Sequence, residues 1–125
     1  MQSAVLRPAP DPVAVLTKAV WRASRILRLS QSDLAAVLGV SRSAVSNVAT
    51  KGALLPRDRN TQELAKTFLR IFRSLDAIVG GDERVAGDWL RNHNTVLGRP
   101  PLEAMKTIAG IVHVMDYLDQ RRAPL

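Results

Sequence analysis

Residues Gln31–Thr50 read QSDLAAVLGVSRSAVSNVAT. Ser30 stands just before them as a helix cap, with Gln31 and the acidic Asp33 in the turn that follows. Leu34, Ala35 and Leu38 share one apolar face. Gly39 stops this piece and supplies a residue free to take positive φ. Val40 then plugs the space beneath the turn, and Ser41 caps a second piece whose inward residues are Ala44, Val45 and Val48. Lys51 lies in its last turn and Gly52 ends it. A small residue at 35 lets the second helix cross the first at close range.

This series resembles the helix-turn-helix of the phage-repressor-like, Xre-type family. In that geometry the second helix, about 42–51, enters the major groove and its N-terminal part reads base edges. Arg42, Ser43, Ser46, Asn47 and Thr50 point away from the Val45/Val48 anchor. An arginine pairs bidentately with guanine and an asparagine with adenine, so Arg42 and Asn47 are the expected readers. Gln31, Ser41, Arg42, Ser43, Ser46, Asn47 and Lys51 are the candidate DNA contacts, with Arg25 and Arg28 as further phosphate candidates. Operator DNA is therefore one expected partner. Such units usually read two half-sites as a symmetric dimer, so a homodimer is expected, with Thr61–Val79 as one source of its interface.

Charge agrees with a polyanionic partner. The chain of 125 residues carries a net charge of +7. Residues 1–60 hold nine basic and three acidic side chains, and residues 61–125 nine and eight. Aromatic residues are only 4%, so the core must rest on Leu, Val, Ile and Ala, which favours helices packed through aliphatic stripes. No segment alternates with period two for long enough to be a strand, and the fold class expected is all-α. Cysteine is absent, which excludes a disulfide framework, a thiolate zinc site and a cysteine nucleophile. His93 and His113 have no ligand series around them, and no phosphate-cradling or nucleophile motif occurs. The expectation is no enzyme, no cofactor and no metal. No run is apolar enough to span a bilayer, so a cytoplasmic protein without membrane contact is expected.

Outward from the motif, residues 1–11 read as a flexible leader. Asp11 caps a helix with Pro12 in its first turn and Val13, Leu16, Val20, Ala23 and Leu27 on one stripe. Ala53–Asn60 reads as a loop around Pro56. Asn60 or Thr61 then starts the longest helix, with Leu64, Phe68, Ile71, Phe72, Leu75, Ile78 and Val79 as its stripe, broken by Gly80-Gly81. Asp82 caps a short helix to about Asn92. After a loop at 93–99, Pro100-Pro101 opens another, and a last helix runs from about Thr107 to Gln120. Residues 121–125 read as a tail. The expected division is an N-terminal helix-turn-helix bundle over 12–59 and a small C-terminal helical domain over 60–125.

Trp89-Leu90, Asn94, Leu97-Gly98, Pro101-Leu102, Thr107, Gly110 and Val114 form a series in this second half. It resembles the toxin-binding domain of the Xre/MbcA/ParS antitoxins, which follows an Xre-like helix-turn-helix in that family. The resemblance covers roughly Val13 to Gln120. It implies a cognate RES-domain toxin as partner, an enzyme that degrades NAD or uses it to ADP-ribosylate a target. The antitoxin's C-terminal region would cover the toxin's NAD pocket, and its helix-turn-helix would repress the shared operon. The expected assembly is a homodimer within a hetero-oligomeric toxin–antitoxin complex. Asn94, Gly98, Arg99, Arg121, Arg122, Ala123, Pro124 and Leu125 are the toxin-binding candidates under this resemblance. The two arginines would pair with carboxylates of the toxin pocket and the chain-end carboxylate with a toxin arginine. A stand-alone regulator whose second half dimerises or senses a ligand shares the DNA-binding half. A pure interaction scaffold predicts no salt-dependent DNA binding.

Overall fold

The computed structural model describes residues 8–122. Seven helices and no strand occur among them: α1 (Pro12–Ile26), α2 (Gln31–Leu38), α3 (Arg42–Lys51), α4 (Arg59–Ile78), α5 (Glu83–Arg91), α6 (Pro101–Ala104) and α7 (Ile108–Arg122). The all-α expectation holds. Helix starts follow cap chemistry. The side chains of Asp11, Ser30, Ser41 and Asp82 accept from the backbone N–H of Val13, Asp33, Ala44 and Val85 at 2.9, 3.0, 3.1 and 3.1 Å. Gly39 and Gly52 close α2 and α3 at φ 67 and 64, the left-handed region in which a Cβ is strained.

Two helix ends differ from the expectation. The long helix begins at Arg59, not at Asn60 or Thr61, because Asp58 caps it twice. The Asp58 carboxylate accepts from the Thr61 N–H at 3.0 Å and the Thr61 hydroxyl at 2.8 Å. The last helix continues past Gln120 through Arg122, so Arg121 and Arg122 belong to a helical turn and not to a tail. Residues 1–7 of the expected leader, and Ala123, Pro124 and Leu125 among the expected toxin contacts, lie outside the described residues. Pro8–Pro10 are exposed and non-helical.

The 20-residue α4, about 30 Å long, is the spine. Phe68, Ile71 and Leu75 are completely buried, with Val20, Ala23 and Leu27 of α1 and Ile111, Val114 and Leu118 of α7 in the same core. α4 packs most extensively on α7 and α1, and also touches α2 and α5. Ile78, Val85, Ile108 and Val112, apolar but exposed, mark where the apolar residues of the second half's helices outrun the buried stripe.

Polar ties join the two halves. Arg91 donates to the carbonyl of Leu27 at 3.0 Å and to those of Arg28 and Gly87. Arg28 itself sits at φ 58, unusual for a side-chain-bearing residue, and lies 3.5 Å from Asp88. Lys106, after α6, reaches Asp33 of α2 at 3.0 Å and Glu103 at 3.0 Å.

Candidate nucleic-acid interface and partner-docking face

α3 rests on α2 through the fully buried Val45, with Val48 half-buried beside it. This fixes which residues face out. Arg42, Ser43, Asn47 and Thr50 are exposed and Ser46 is half-buried. The expected reading edge is therefore assembled on one side of one helix. Ser41 spends its hydroxyl lone pair on the Ala44 N–H, so its structural duty is the cap. Thr50 donates back to the Ser46 carbonyl at 2.8 Å. Gln31 is the first residue of α2 and half-buried, and Lys51 is exposed in the last turn of α3.

Every acid of residues 1–60 is engaged. Asp11 caps α1 and pairs with Arg57, whose hydrogen bond holds its carboxyl below the usual carboxylate range. Burial alone would raise the Asp33 carboxyl, but hydrogen bonds from Lys106 and Ser30 outweigh it and hold it low. Asp58 is lowered by the backbone N–H and the hydroxyl of Thr61. Lys18, Arg22, Arg42, Lys51 and Arg59 make no ion pair among the described residues. The positive excess of this half is thus left to face a polyanion. Arg25 and Arg28, named as phosphate candidates, are occupied otherwise. Arg25 lies over the Trp21 ring at 4.4 Å and donates to the Leu29 carbonyl, and Arg28 faces α5.

The second face lies between the 94–99 loop, α6 and α7. Asn94 builds the loop: its side-chain oxygen accepts from the N–H of Val96 and Leu97 at 2.9 and 3.0 Å. Its carbonyl accepts from the Gly98 N–H at 2.8 Å, and its own N–H donates to the Arg99 carbonyl at 3.2 Å. Gly98 supplies the positive φ of 75 that lets the chain return. Asn94 and Gly98 therefore shape the loop, while Arg99 and Val96 are presented by it. Val96 is 68% exposed. An open cleft of about 440 Å³ runs beside it, with Arg99, His113, Asp116 and Gln120 among its walls. Ile108 and Val112, 66% and 41% exposed, lie on α7 next to that wall.

Arg121 and Arg122 are held from within. Arg121 lies over the Tyr117 ring at 4.5 Å, and Tyr117 stacks on Trp89 with centroids 6.0 Å apart. Arg122 donates to the buried Ser74 hydroxyl at 3.3 Å. Sequence reasoning had not singled out Val96, His113, Asp116 or Gln120 as one face. The loop that brings Val96 to α7 depends on the Asn94 turn and the Gly98 return, and no local periodicity reports it. No group of three or more His, Asp or Glu side chains able to hold a metal occurs among the described residues. No helix among them is long and apolar enough to cross a membrane.

Comparison with known families gives two matches. The antitoxin Xre-like helix-turn-helix domain matches residues 7–73, and the antitoxin Xre/MbcA/ParS C-terminal toxin-binding domain matches residues 74–123. The two meet inside α4. Both describe binding domains, not enzymes. No curated protein matches the chain.

Proposed function

Because the chain belongs to the Xre-like helix-turn-helix antitoxins and carries their C-terminal toxin-binding domain, we propose that it neutralises a RES-domain toxin and represses its own operon. Repression runs through α3. Arg42 at its start takes a guanine edge, Asn47 one turn on takes an adenine, and Ser43 and Ser46 fill between them. Gln31, Ser41 and Lys51 hold phosphates on either side. Two copies on two half-sites give the affinity that one small module lacks. The bundle over 12–59 does this work, in the cytoplasm, where both operator and toxin are found.

Neutralisation runs through residues 60–125. One observation carries the reading: Val96, Ile108 and Val112 stand exposed beside a cleft walled by Arg99, His113 and Asp116. Apolar side chains next to polar ones, with Arg99 and Asp116 making no ion pair among the described residues, fit the anatomy of an interface core and its rim. The toxin docks there, on the base that Asn94 and Gly98 shape. Arg121 and Arg122, exchanging their contacts with Tyr117 and Ser74 for the toxin, occlude its NAD pocket together with residues 123–125. The antitoxin itself binds no NAD.

The test is co-expression with the product of the neighbouring small open reading frame, scoring growth and co-purification. Rescue of a toxic neighbour with a stable complex is expected. Val96→Asp breaks the complex and leaves operator binding intact, and Arg42→Ala with Asn47→Ala does the reverse. A harmless neighbour and no complex refute the toxin assignment and leave a stand-alone regulator. Loss of both functions from either variant, still folded, refutes the division of labour.

A further inference from the structure

A second groove lies on the N-terminal half, away from α3 and from the 94–99 cleft. It runs between α1 and α4, about 570 Å³ in volume. Val15, Leu16, Ala19 and Leu69 make its apolar floor and sides, and Val15 is 56% exposed. Lys66 and Arg73 of α4 stand along its edge. They are one heptad apart, and Arg59 lies one heptad before them, so the three cations form a stripe along one side of the helix. Arg22 repeats the arrangement on α1, one heptad after Val15. Among the described residues the acid paired with this stripe is Glu63, at 3.7 Å from Lys66, with both side chains 64% exposed, which screens it weakly. Arg22, Arg59 and Arg73 make no ion pair among the described residues.

We propose that this groove docks an acidic amphipathic segment of a partner protein, apolar side chains on the Val15–Leu69 floor and carboxylates against Lys66, Arg73 and Arg22. Charge selects this occupant. A second copy placed across a two-fold axis would set Lys66 and Arg73 against themselves, a like-charge juxtaposition that opposes association. A nucleic acid would meet the cations but leave the apolar floor uncovered. A helix with apolar residues at i, i+3, i+4 and i+7, flanked by glutamates, satisfies both. None of its residues lines the 94–99 cleft or the outer side of α3, but Lys66, Leu69 and Arg73 lie within the 61–79 stretch expected as a source of the homodimer interface, so the test separates a partner segment from a second copy.

The test uses the full chain and a fluorescein-labelled peptide of two Glu-Leu-Leu-Glu-Glu-Leu-Glu repeats, read by anisotropy. Saturable binding is expected, weakening with salt. Replacing every glutamate of the peptide by lysine abolishes it. Lys66→Glu with Arg73→Glu, and separately Val15→Asp, each weaken it at least about tenfold. Both variants alter exposed or edge positions, and their helicity by circular dichroism verifies the fold. Arg42→Ala with Lys51→Ala leaves the peptide affinity unchanged. Equal binding by the groove variants overturns the proposal. So does a dimer in sedimentation that Val15→Asp dissociates, which names a second copy as the occupant. Tighter peptide binding after removal of residues 1–7 also overturns it, since the chain's own leader then fills the groove. Loss of duplex DNA affinity in the Lys66→Glu, Arg73→Glu variant, with none for the peptide, assigns the stripe to nucleic acid instead.

Discussion

Gly110 offers the sharpest test of the packing beneath the docking face. It lies in the first turn of α7, where the Thr107 hydroxyl accepts its N–H at 3.0 Å. A Cβ added there would stand 1.9 Å from the Ala104 carbonyl oxygen, 2.7 Å from that carbonyl carbon and 2.7 Å from Thr107 Oγ1. Real Cβ contacts do not fall below 3 Å, so α6 and α7 must separate by about an ångström. Two of the three obstructing atoms are backbone, which no rotamer change relieves. Against this, alanine is favoured over glycine in a helix by about 1 kcal/mol. Overpacking of a tight site costs about 1–3 kcal/mol, and a backbone clash belongs at the upper end. The expected net effect of Gly110→Ala is a loss of about 1–2 kcal/mol, a drop in Tm on the order of 5–10 °C for a chain of this size. Thermal unfolding followed at 222 nm reads it. Gly87→Ala in α5 is the control, since its Cβ meets only the ends of the Arg28 and Arg91 side chains, at 2.9 and 3.2 Å. A Gly110→Ala protein as stable as the parent would refute the close α6–α7 crossing.

The ion pair between Asp33 and Lys106 ties stability to pH. The folded Asp33 carboxyl lies below its ordinary 3.8, so its contribution is complete above that value and lost as pH falls through the folded-state pKa. Lys106 is raised above 10.5 by Asp33, so its share is complete below 10.5 and lost above the folded-state value. Lys106→Met should flatten the acid limb of a urea-midpoint-versus-pH profile below the ordinary carboxylate value of 3.8, and an unchanged limb would show that the pair contributes nothing. Asn94→Ala removes the acceptor of two loop N–H groups and should cost about 1–2 kcal/mol of stability together with toxin affinity; urea titration and pull-down check it. Arg42→Ala should weaken operator binding by about 1–3 kcal/mol while leaving Tm within about a degree of the parent, measured by mobility shift and calorimetry, because the side chain is exposed and unpaired.

The helix-turn-helix was legible because each of its constraints is local. Ala35, Gly39, Val40, Val45 and Val48 act within twenty residues of one another, and the caps Ser30 and Ser41 bond three residues away. The start of α4 was misplaced because Asp58, Asn60 and Thr61 are all competent caps. The choice of Asp58 rests on a second bond to the Thr61 hydroxyl that composition does not announce. Arg28 and Arg91 were opaque for another reason. A cation reads as surface until its partner is known, and theirs lie about sixty residues away along the chain. The 94–99 loop's position beside α7 is hidden for a different reason: it is set by the Asn94 turn and the positive φ of Gly98, which no helical periodicity reports. Arg121 and Arg122 read as a tail because Tyr117 faces Arg121 only if the helix is carried one turn further, and Ser74, the partner of Arg122, lies 48 residues earlier in the chain.

The ties between Arg91 and the end of α1, and between Lys106 and α2, make the protein behave as a bracket and not as two beads on a string. α4 leaves no linker for the halves to pivot on. A cargo held on the α7 face therefore sits at a set angle and distance from the groove that α3 enters. The DNA's own pitch, about 34 Å per turn, then becomes a spacing rule for the cargo. Moving two half-sites apart by a few base pairs would rotate one bound toxin around the duplex relative to the other. Operator spacing would decide, by geometry alone, whether neighbouring toxins fit side by side or exclude each other.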